Sequence, residues 1–384
     1  MKIVFVSRST PFHHIGGMES VSWDLAIAMV QFGWTVVFVT TRCPGKPKEF
    51  IADGVQVLTV NSVPGKYSVK WWFGTRKLVK SDDRLRQAHV LFSVSAGAFA
   101  IVSRSDAIIK VAQIHGTSLA EVTSKLKQRS LLSFLKAIKN IGWMLRDFTY
   151  QKFDALIAIG EKVENDLKHP ITRKIIGETQ VVTISNGLNE KEFEFSLSER
   201  LGLRAEHKIA DAQRLIISVS RLHEQKGVRQ SLDAIKFLVN QGCLNYKFFI
   251  IGDGPEKQKL EHYAKQVGII EYVTFLGSVN RLEIKKWLSA ADVFLFTTLR
   301  QEGLPTNVLE AHAAGLPVVI SEHAMDRRFQ AVAVDPQQPS TIAAAIKTVS
   351  IVGERISTLH EDFNIKNSAK YYCELFGNIA GEKN

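Results

Sequence analysis

The chain is predicted to be an α/β protein of two domains, each built on a parallel β-sheet buried on both faces. Three observations lead there. With 384 residues, the chain is too long for one small core and suits two domains of roughly 150–200 residues. Short β-rich runs alternate with stretches of helical spacing along the whole length. Most of those runs are continuously apolar, without polar alternation, as expected of parallel strands covered by helices.

The runs follow in order. In the first half they are KIVFVS (2–7), WTVVFVT (34–40), VQVLTV (55–60), HVLFSV (89–94), KVAQIH (110–115), DALIAIG (154–160) and VVTIS (181–185). In the second half they are RLIISVS (214–220), YKFFIIG (246–252), YVTFLG (272–277), VFLFTT (293–298), PVVIS (317–321) and AVAVD (331–335). Helices are expected between them, among others at 20–32, 227–241, 255–267 and 305–314. This is the βαβ pattern, present twice. The polar stretch 190–213 separates the two series and is expected to be a linker. In open sheets of this kind ligands sit beyond the carboxyl ends of the strands, near the switch in strand order.

Composition narrows the class. Hydrophobic residues make up 45% and charged residues 23%, which is ordinary for a globular enzyme. No apolar run reaches the ~20 residues that span a bilayer. The opening MKIVFVSRS turns polar too soon for a signal peptide and reads as a first strand. Three cysteines, Cys43, Cys243 and Cys373, are odd in number and widely spaced. They predict reduced thiols in a cytoplasmic protein, with neither a disulfide framework nor a zinc site. The net charge of +11 is uneven. Residues 1–190 carry 25 Lys and Arg against 15 Asp and Glu, so nearly all the basic excess lies there. Without a nucleic-acid-binding motif, that excess points to an anionic substrate or membrane surface and not to nucleic acid.

The loops after the strands carry the candidate chemistry. Gly16 and Gly17 precede the first helix, where paired glycines let backbone N–H groups approach an anion; a tight turn would need the same residues. His115 ends the fifth run. Arg221 and Lys226 flank a loop before a helix, and two cations there suit a diphosphate without a metal; a solvated loop would look alike. In EGLPTNVLEAHAAGLPVVI (302–320), Glu302 and Glu310 stand eight positions apart at what reads as the mouth of a helix. They are either a favourable charge at a helix N-terminus or acceptors for a polyhydroxy ligand. Gly252-Asp253-Gly254-Pro255 lacks the third glycine of a dinucleotide fingerprint. No metal-binding spacing is present, so neither a metal nor a cofactor is expected.

Together these pieces resemble a retaining GT-B glycosyltransferase of family 4, the group 1 sugar transferases. They run in the family's order: Gly16-Gly17 with Glu19, His115-Gly116, Ser185-Asn186-Gly187, Ser220-Arg221-Leu222 with Lys226-Gly227, Gly252 to Pro255, Phe275-Leu276-Gly277, and the Glu302 to Glu310 stretch. The resemblance implies two Rossmann-like domains facing across a cleft. One is 1–190 on the acceptor side, joined by a C-terminal helix at about 366–380; the other is 191–365, for the nucleotide-sugar. It implies that Glu302 and His115 are the catalytic pair, Glu302 beside the transferred sugar and His115 contacting it. It gives Glu310 to the ribose hydroxyls, and an ionised carboxylate can accept from a vicinal diol. Gly303, Leu304, Pro305, Thr306 and Asn307 would line the diphosphate at the helix N-terminus, with Arg221 and Lys226 neutralising it. Phe275 and Leu276 would meet the base, and Gly16 and Gly17 would close the phosphate and acceptor side. The implied mechanism is same-face attack without a protein nucleophile, the departing phosphate taking the acceptor's proton. Asn189, Gly160 and the segment EHAMDRRFQAVAVDP depart from the family's pattern.

A UDP-sugar donor is favoured, with a lipid-linked or membrane glycan of a bacterial surface polysaccharide as acceptor. Lys66, Lys70, Arg76, Lys77 and Lys80 surround Trp71 and Trp72, and the adjacent tryptophans are expected on a loop where both reach a headgroup layer. Residues 125–148 repeat the basic, amphipathic pattern. Both stretches suit peripheral attachment to the inner face of an anionic cell membrane. Two alternatives stand beside this: an epimerase or a transferase with a soluble acceptor, and a non-catalytic scaffold subunit.

Overall fold

The computed structural model describes residues 1–13, 16–119, 122, 142, 144–349 and 355–383. The chain forms two compact units, Met1–Gly187 with Ile365–Asn384, and Leu188–Asn364.

The first unit holds a sheet of β1 (Lys2–Val6), β2 (Thr35–Thr41), β3 (Glu49–Ala52), β4 (Val55–Val60), β5 (Val90–Val94), β6 (Ile109–Ile114), β7 (Ala155–Ala158) and β8 (Gln180–Thr183). Their order is β3-β4-β2-β1-β5-β6-β7-β8. The period of two along a strand divides the core. Ile3 and Phe5 face one layer with Phe38, Phe92, Trp23 and Tyr372, while Val4 and Val6 face the other with Val37, Trp71 and Leu156. The order reverses at β1, so the loops after β1 and β5 flank the switch point.

The sequence reading missed β3. It pairs antiparallel with β4 across Asp53-Gly54, both with positive φ (52° and 78°), the geometry of a two-residue hairpin turn. The Asp-Gly pair was the available signal.

The second unit holds β9 (Arg214–Val219), β10 (Tyr246–Ile251), β11 (Val273–Gly277), β12 (Val293–Phe296), β13 (Val318–Ser321) and β14 (Ala331–Val334), in the order β11-β10-β9-β12-β13-β14. Every pairing is parallel. The switch point lies between β9 and β12.

The stretch 190–213 is not a linker. It contains the helix Leu197–Glu206, capped by Ser196, and that helix is clamped to the second unit. Arg200 and Arg204 reach the buried Asp292 at 2.6 and 3.1 Å, and they also donate to the carbonyls of Ala290 and Ala291 at the end of the helix Arg281–Ala290. Its polar composition combines an exposed outer face with the two arginines that turn inward.

The last helix, Ile365–Lys383, belongs to the first unit. Tyr372 packs on Phe92 and Phe376 on Trp34, with ring centroids 5.4 and 5.7 Å apart. The Ser185-Asn186-Gly187 segment meets this helix. Ser368 Oγ donates to the Ser185 carbonyl at 2.8 Å, and a Cβ on Gly187 would run into the Ile365 backbone.

Candidate functional site

In the second unit, the loops after β9, β10, β11 and β12 lock together. Leu222 N donates to the Asp253 carbonyl at 2.9 Å, Glu256 N to the Leu222 carbonyl at 3.1 Å, and Gly252 N to the Gly277 carbonyl at 2.8 Å. Gly252 and Gly254 are glycine because a Cβ on either would strike the Ser220 or Leu222 carbonyl. Gly227 is fixed twice over: its φ is +66°, and a Cβ would strike the Thr297 carbonyl. Thr297 Oγ1 donates to the Gly227 carbonyl at 2.8 Å, which ties the loop after β9 to the end of β12.

That contact sets the central pair. Lys226 Nζ meets Glu302 Oε1 at 2.8 Å, at the switch point, and both side chains are largely buried. Thr298 Oγ1 lies 3.2 Å from the same oxygen. Arg221, on the same loop after β9, is exposed.

The helix that follows spans Thr306–Ala313, with Pro305 at its N-cap, and in its first turn Asn307 Oδ1 accepts from Val308 N at 3.0 Å. The positive end of this helix follows Gly303 and Leu304, and an anion is favoured there by the helix dipole. Asn307 behaves differently from its neighbours: its side-chain Nδ2 donates to the Val219 carbonyl at 2.6 Å and pins the helix to the end of β9. Glu310 is the fifth residue of the helix, so the two glutamates do not share its mouth; only Glu302 precedes it. Phe275 and Leu276 are half-buried on β11. In the segment that departs from the family pattern, Arg328 is held by Asp326 and Asp362 at 2.8 and 3.1 Å.

In the first unit, Gly16 caps the helix Gly17–Gln31 without a side-chain bond. Glu19, in the first turn, is buried and accepts from Ser9 Oγ at 2.6 Å. His115 follows β6, and its Nε2 lies 3.0 Å from Gln113 Oε1. Desolvation pulls the imidazole down to about 4 against an upward pull from Glu19, so the ring is neutral at pH 7. Glu19 came with the glycine motif but without a role. Gln113 was missed, although the sequence placed it two residues before His115 in one apolar run, the spacing at which extended side chains point the same way.

The basic stretch is corrected. Residues Val69–Ser81 are a helix, capped by Ser68, and not a loop. Helical spacing turns Trp71, Thr75 and Val79 inward, and Trp71 is fully buried in the core, where no membrane can reach it. Trp72 is half-buried and stacks on Tyr67, centroids 5.2 Å apart. Arg76 is tied to the Ala100 carbonyl at 3.2 Å. Lys66, Lys70, Lys77 and Lys80 are exposed, and with them are Val69 and Phe73, 69% and 65% exposed. Of 125–148, only 142 and 144–148 are described; the rest of that expectation lies outside the described residues. Among the described residues, no helix is long and apolar enough to cross a membrane, and no cluster of His, Cys, Asp or Glu could hold a metal ion.

Known proteins resemble the chain over most of its length. The family model "Glycosyl transferases group 1" matches residues 199–351, and the model "Glycosyltransferase Family 4" matches residues 15–192. An uncharacterised glycosyltransferase of Methanocaldococcus jannaschii is 26% identical over 98% of both chains. The amylovoran biosynthesis glycosyltransferase AmsK of Erwinia amylovora is 39% identical over 28% of each. The Anabaena protein HepE, solved with UDP and glucose, superposes with a TM-score of 0.69 at 17% identity over 98% of this chain and 99% of that one, a likeness of fold.

Proposed function

The chain belongs to the group 1 glycosyltransferases of family 4, with the GT-B fold; from that premise we propose that it is a retaining, metal-independent hexosyltransferase. It takes a nucleotide-diphosphate sugar, by preference a UDP-sugar, and passes the sugar to a lipid-linked or membrane glycan in a bacterial surface polysaccharide. The observation that carries this is the Lys226–Glu302 pair at the switch point of the second unit, at 2.8 Å, ahead of the N-terminus of the helix Thr306–Ala313. Lys226, Arg221 and the helix N–H groups together supply the positive charge a leaving diphosphate needs, so a metal is not required. Glu302 supplies negative charge where positive charge develops on the sugar as its bond to the phosphate breaks. The departing phosphate then takes the acceptor's proton. HepE binds UDP and glucose and AmsK serves amylovoran biosynthesis, which supports the choice of donor and pathway class.

Calorimetry with UDP, GDP, ADP and their sugars tests the donor. UDP is expected to bind, and EDTA to leave binding and turnover unchanged. Glu310→Ala is expected to weaken free UDP by roughly 10–100-fold, the loss of a charged hydrogen-bond acceptor worth about 1.5–3 kcal/mol. Reversible loss of turnover in EDTA, or wild-type UDP affinity in Glu310→Ala, overturns the assignment.

For the acceptor side we propose that the outer face of the helix Val69–Ser81 lies against anionic lipid on the inner face of the cell membrane. Val69 and Phe73 are apolar and exposed there beside Lys66, Lys70, Lys77 and Lys80. Each lysine adds about 1 kcal/mol of attraction near such a surface, screened as salt rises. The protein is expected to pellet with phosphatidylserine vesicles at low salt, to ignore phosphatidylcholine vesicles, and to detach as salt rises. Replacing Lys66, Lys70, Lys77 and Lys80 with Glu abolishes pelleting and leaves UDP binding intact. A wild-type protein indifferent to phosphatidylserine vesicles at low salt favours a soluble acceptor.

A further inference from the structure

We infer that Gln113 is a positioning residue that fixes the ring tautomer of His115, and that Tyr372 of the C-terminal helix holds Gln113 in the orientation that does so. The consequence for turnover rests on the reading of His115 as the donor-sugar contact; the tautomer itself does not.

Gln113 lies on β6 and is 1% exposed, among the fully buried Val111, Ala112 and Ile114. A buried amide in such a strand must find partners for one acceptor oxygen and two N–H donors. It finds three. Nε2 donates to Tyr372 OH at 3.0 Å and to Asn186 Oδ1 at 3.3 Å. With both N–H groups directed at oxygens, Oε1 is left facing His115 Nε2 at 3.0 Å. An amide oxygen only accepts, so His115 Nε2 must carry the proton. In a neutral ring, Nδ1 then keeps its lone pair.

The partners come from far apart in the chain. Tyr372 is 259 positions from Gln113 and Asn186 is 73. Tyr372 is itself buried at 1% exposure, packed on Phe92, so its hydroxyl is held in place by the same helix that closes over the sheet. The other charged group acting on His115 is Glu19, whose carboxylate is engaged by Ser9. The last helix thus acts on the His115 ring through one amide.

The reversed amide is the competing arrangement. It would turn the N–H groups toward His115 and place the ring proton on Nδ1. Nitrogen-15 NMR of histidine-labelled protein distinguishes the two directly, without substrate. His115→Asn identifies the relevant signals among the eleven histidines. Between pH 6 and 8, the His115 signals are expected to show a neutral ring protonated at Nε2. Gln113→Glu keeps that tautomer and places a carboxylate against the ring, so the His115 pKa should rise by more than one unit. Tyr372→Phe removes the brace and should give a mixture of tautomers. An Nδ1-protonated ring in the wild type, or an unmoved His115 pKa in Gln113→Glu, overturns the inference. Turnover of Gln113→Glu is expected to fall by roughly 10–100-fold, as for a misplaced site group. Wild-type turnover in that variant, with the NMR result as expected, removes the donor-contact role of His115 and leaves the positioning by Gln113 standing.

Discussion

Glu302→Gln is expected to lower turnover by roughly 10²–10³-fold, the scale set by removing one aligned electrostatic group from a reacting centre, and to leave the affinity for free UDP no weaker than in the wild type. The expectation follows from what the carboxylate touches. Lys226 Nζ sits 2.8 Å from Oε1, and Thr298 Oγ1 lies 3.2 Å from the same atom. In the free enzyme, Glu302 therefore occupies the cation that a diphosphate would use. Glutamine preserves the shape and removes the charge. Lys226 is then released from its counter-ion, and the loop after β9 becomes one charge more positive. A phosphate approaching Lys226, Arg221 and the start of the helix Thr306–Ala313 meets less competition. The loss falls on the step in which the sugar gains positive charge. Glu310, inside that helix, should behave in the opposite way, weakening free UDP when removed. Steady-state kinetics and calorimetry on the two variants separate these effects. Equal losses of free-UDP affinity in Glu302→Gln and Glu310→Ala overturn the division of roles.

What was legible in the sequence was whatever depends on local pattern. The runs 2–7, 214–220 and 246–252 became β1, β9 and β10 within one residue at either end, because a strand buried on both faces must be apolar at every position. Glycines were legible where loops crowd: Gly252, Gly254 and Gly227 each sit where a Cβ would strike a neighbouring carbonyl. Spacing misled where the local structure was misread. Two adjacent tryptophans suggested a loop, yet in a helix they lie about 100° apart, one inward and one sideways. Two glutamates eight positions apart suggested a shared helix end, but Pro305 starts the helix after the first of them. Long-range polar contacts left no pattern. Gln113 is one glutamine in an apolar strand until Tyr372 is brought beside it. Asp292 looks like the end of a helix until three arginines from two distant segments close on it.

Those arginines carry the other large expected effect. Asp292→Ala is expected to destabilise the second unit by about 3–5 kcal/mol, the usual cost of removing one partner from a buried charge cluster. Asp292 is 1% exposed. It meets Arg200 at 2.6 Å, Arg204 at 3.1 Å and Arg355 at 3.7 Å, and accepts from Leu215 N at 2.7 Å. One carboxylate does not balance three guanidinium groups. The remainder comes from the carbonyls of Leu288, Ala290 and Ala291, at the negative end of the helix Arg281–Ala290. The crowding is visible in Arg355: burial, and then the neighbouring Arg200, pull its pKa down to about 10, which still leaves it charged at pH 7. Without Asp292 the three cations keep only dipoles as partners, and the start of β9 loses an acceptor. Arg200→Ala should cost much less, because Arg200 is the most exposed of the three and its loss leaves Asp292 paired with Arg204. Thermal denaturation of both variants reads the difference. For a unit of this size, 3–5 kcal/mol corresponds to a fall in Tm of roughly 6–20 °C. An Asp292→Ala protein melting within about 2 °C of the wild type would show that the helix carbonyls alone hold the arginines, and that the carboxylate is not what ties the helix Leu197–Glu206 to the sheet.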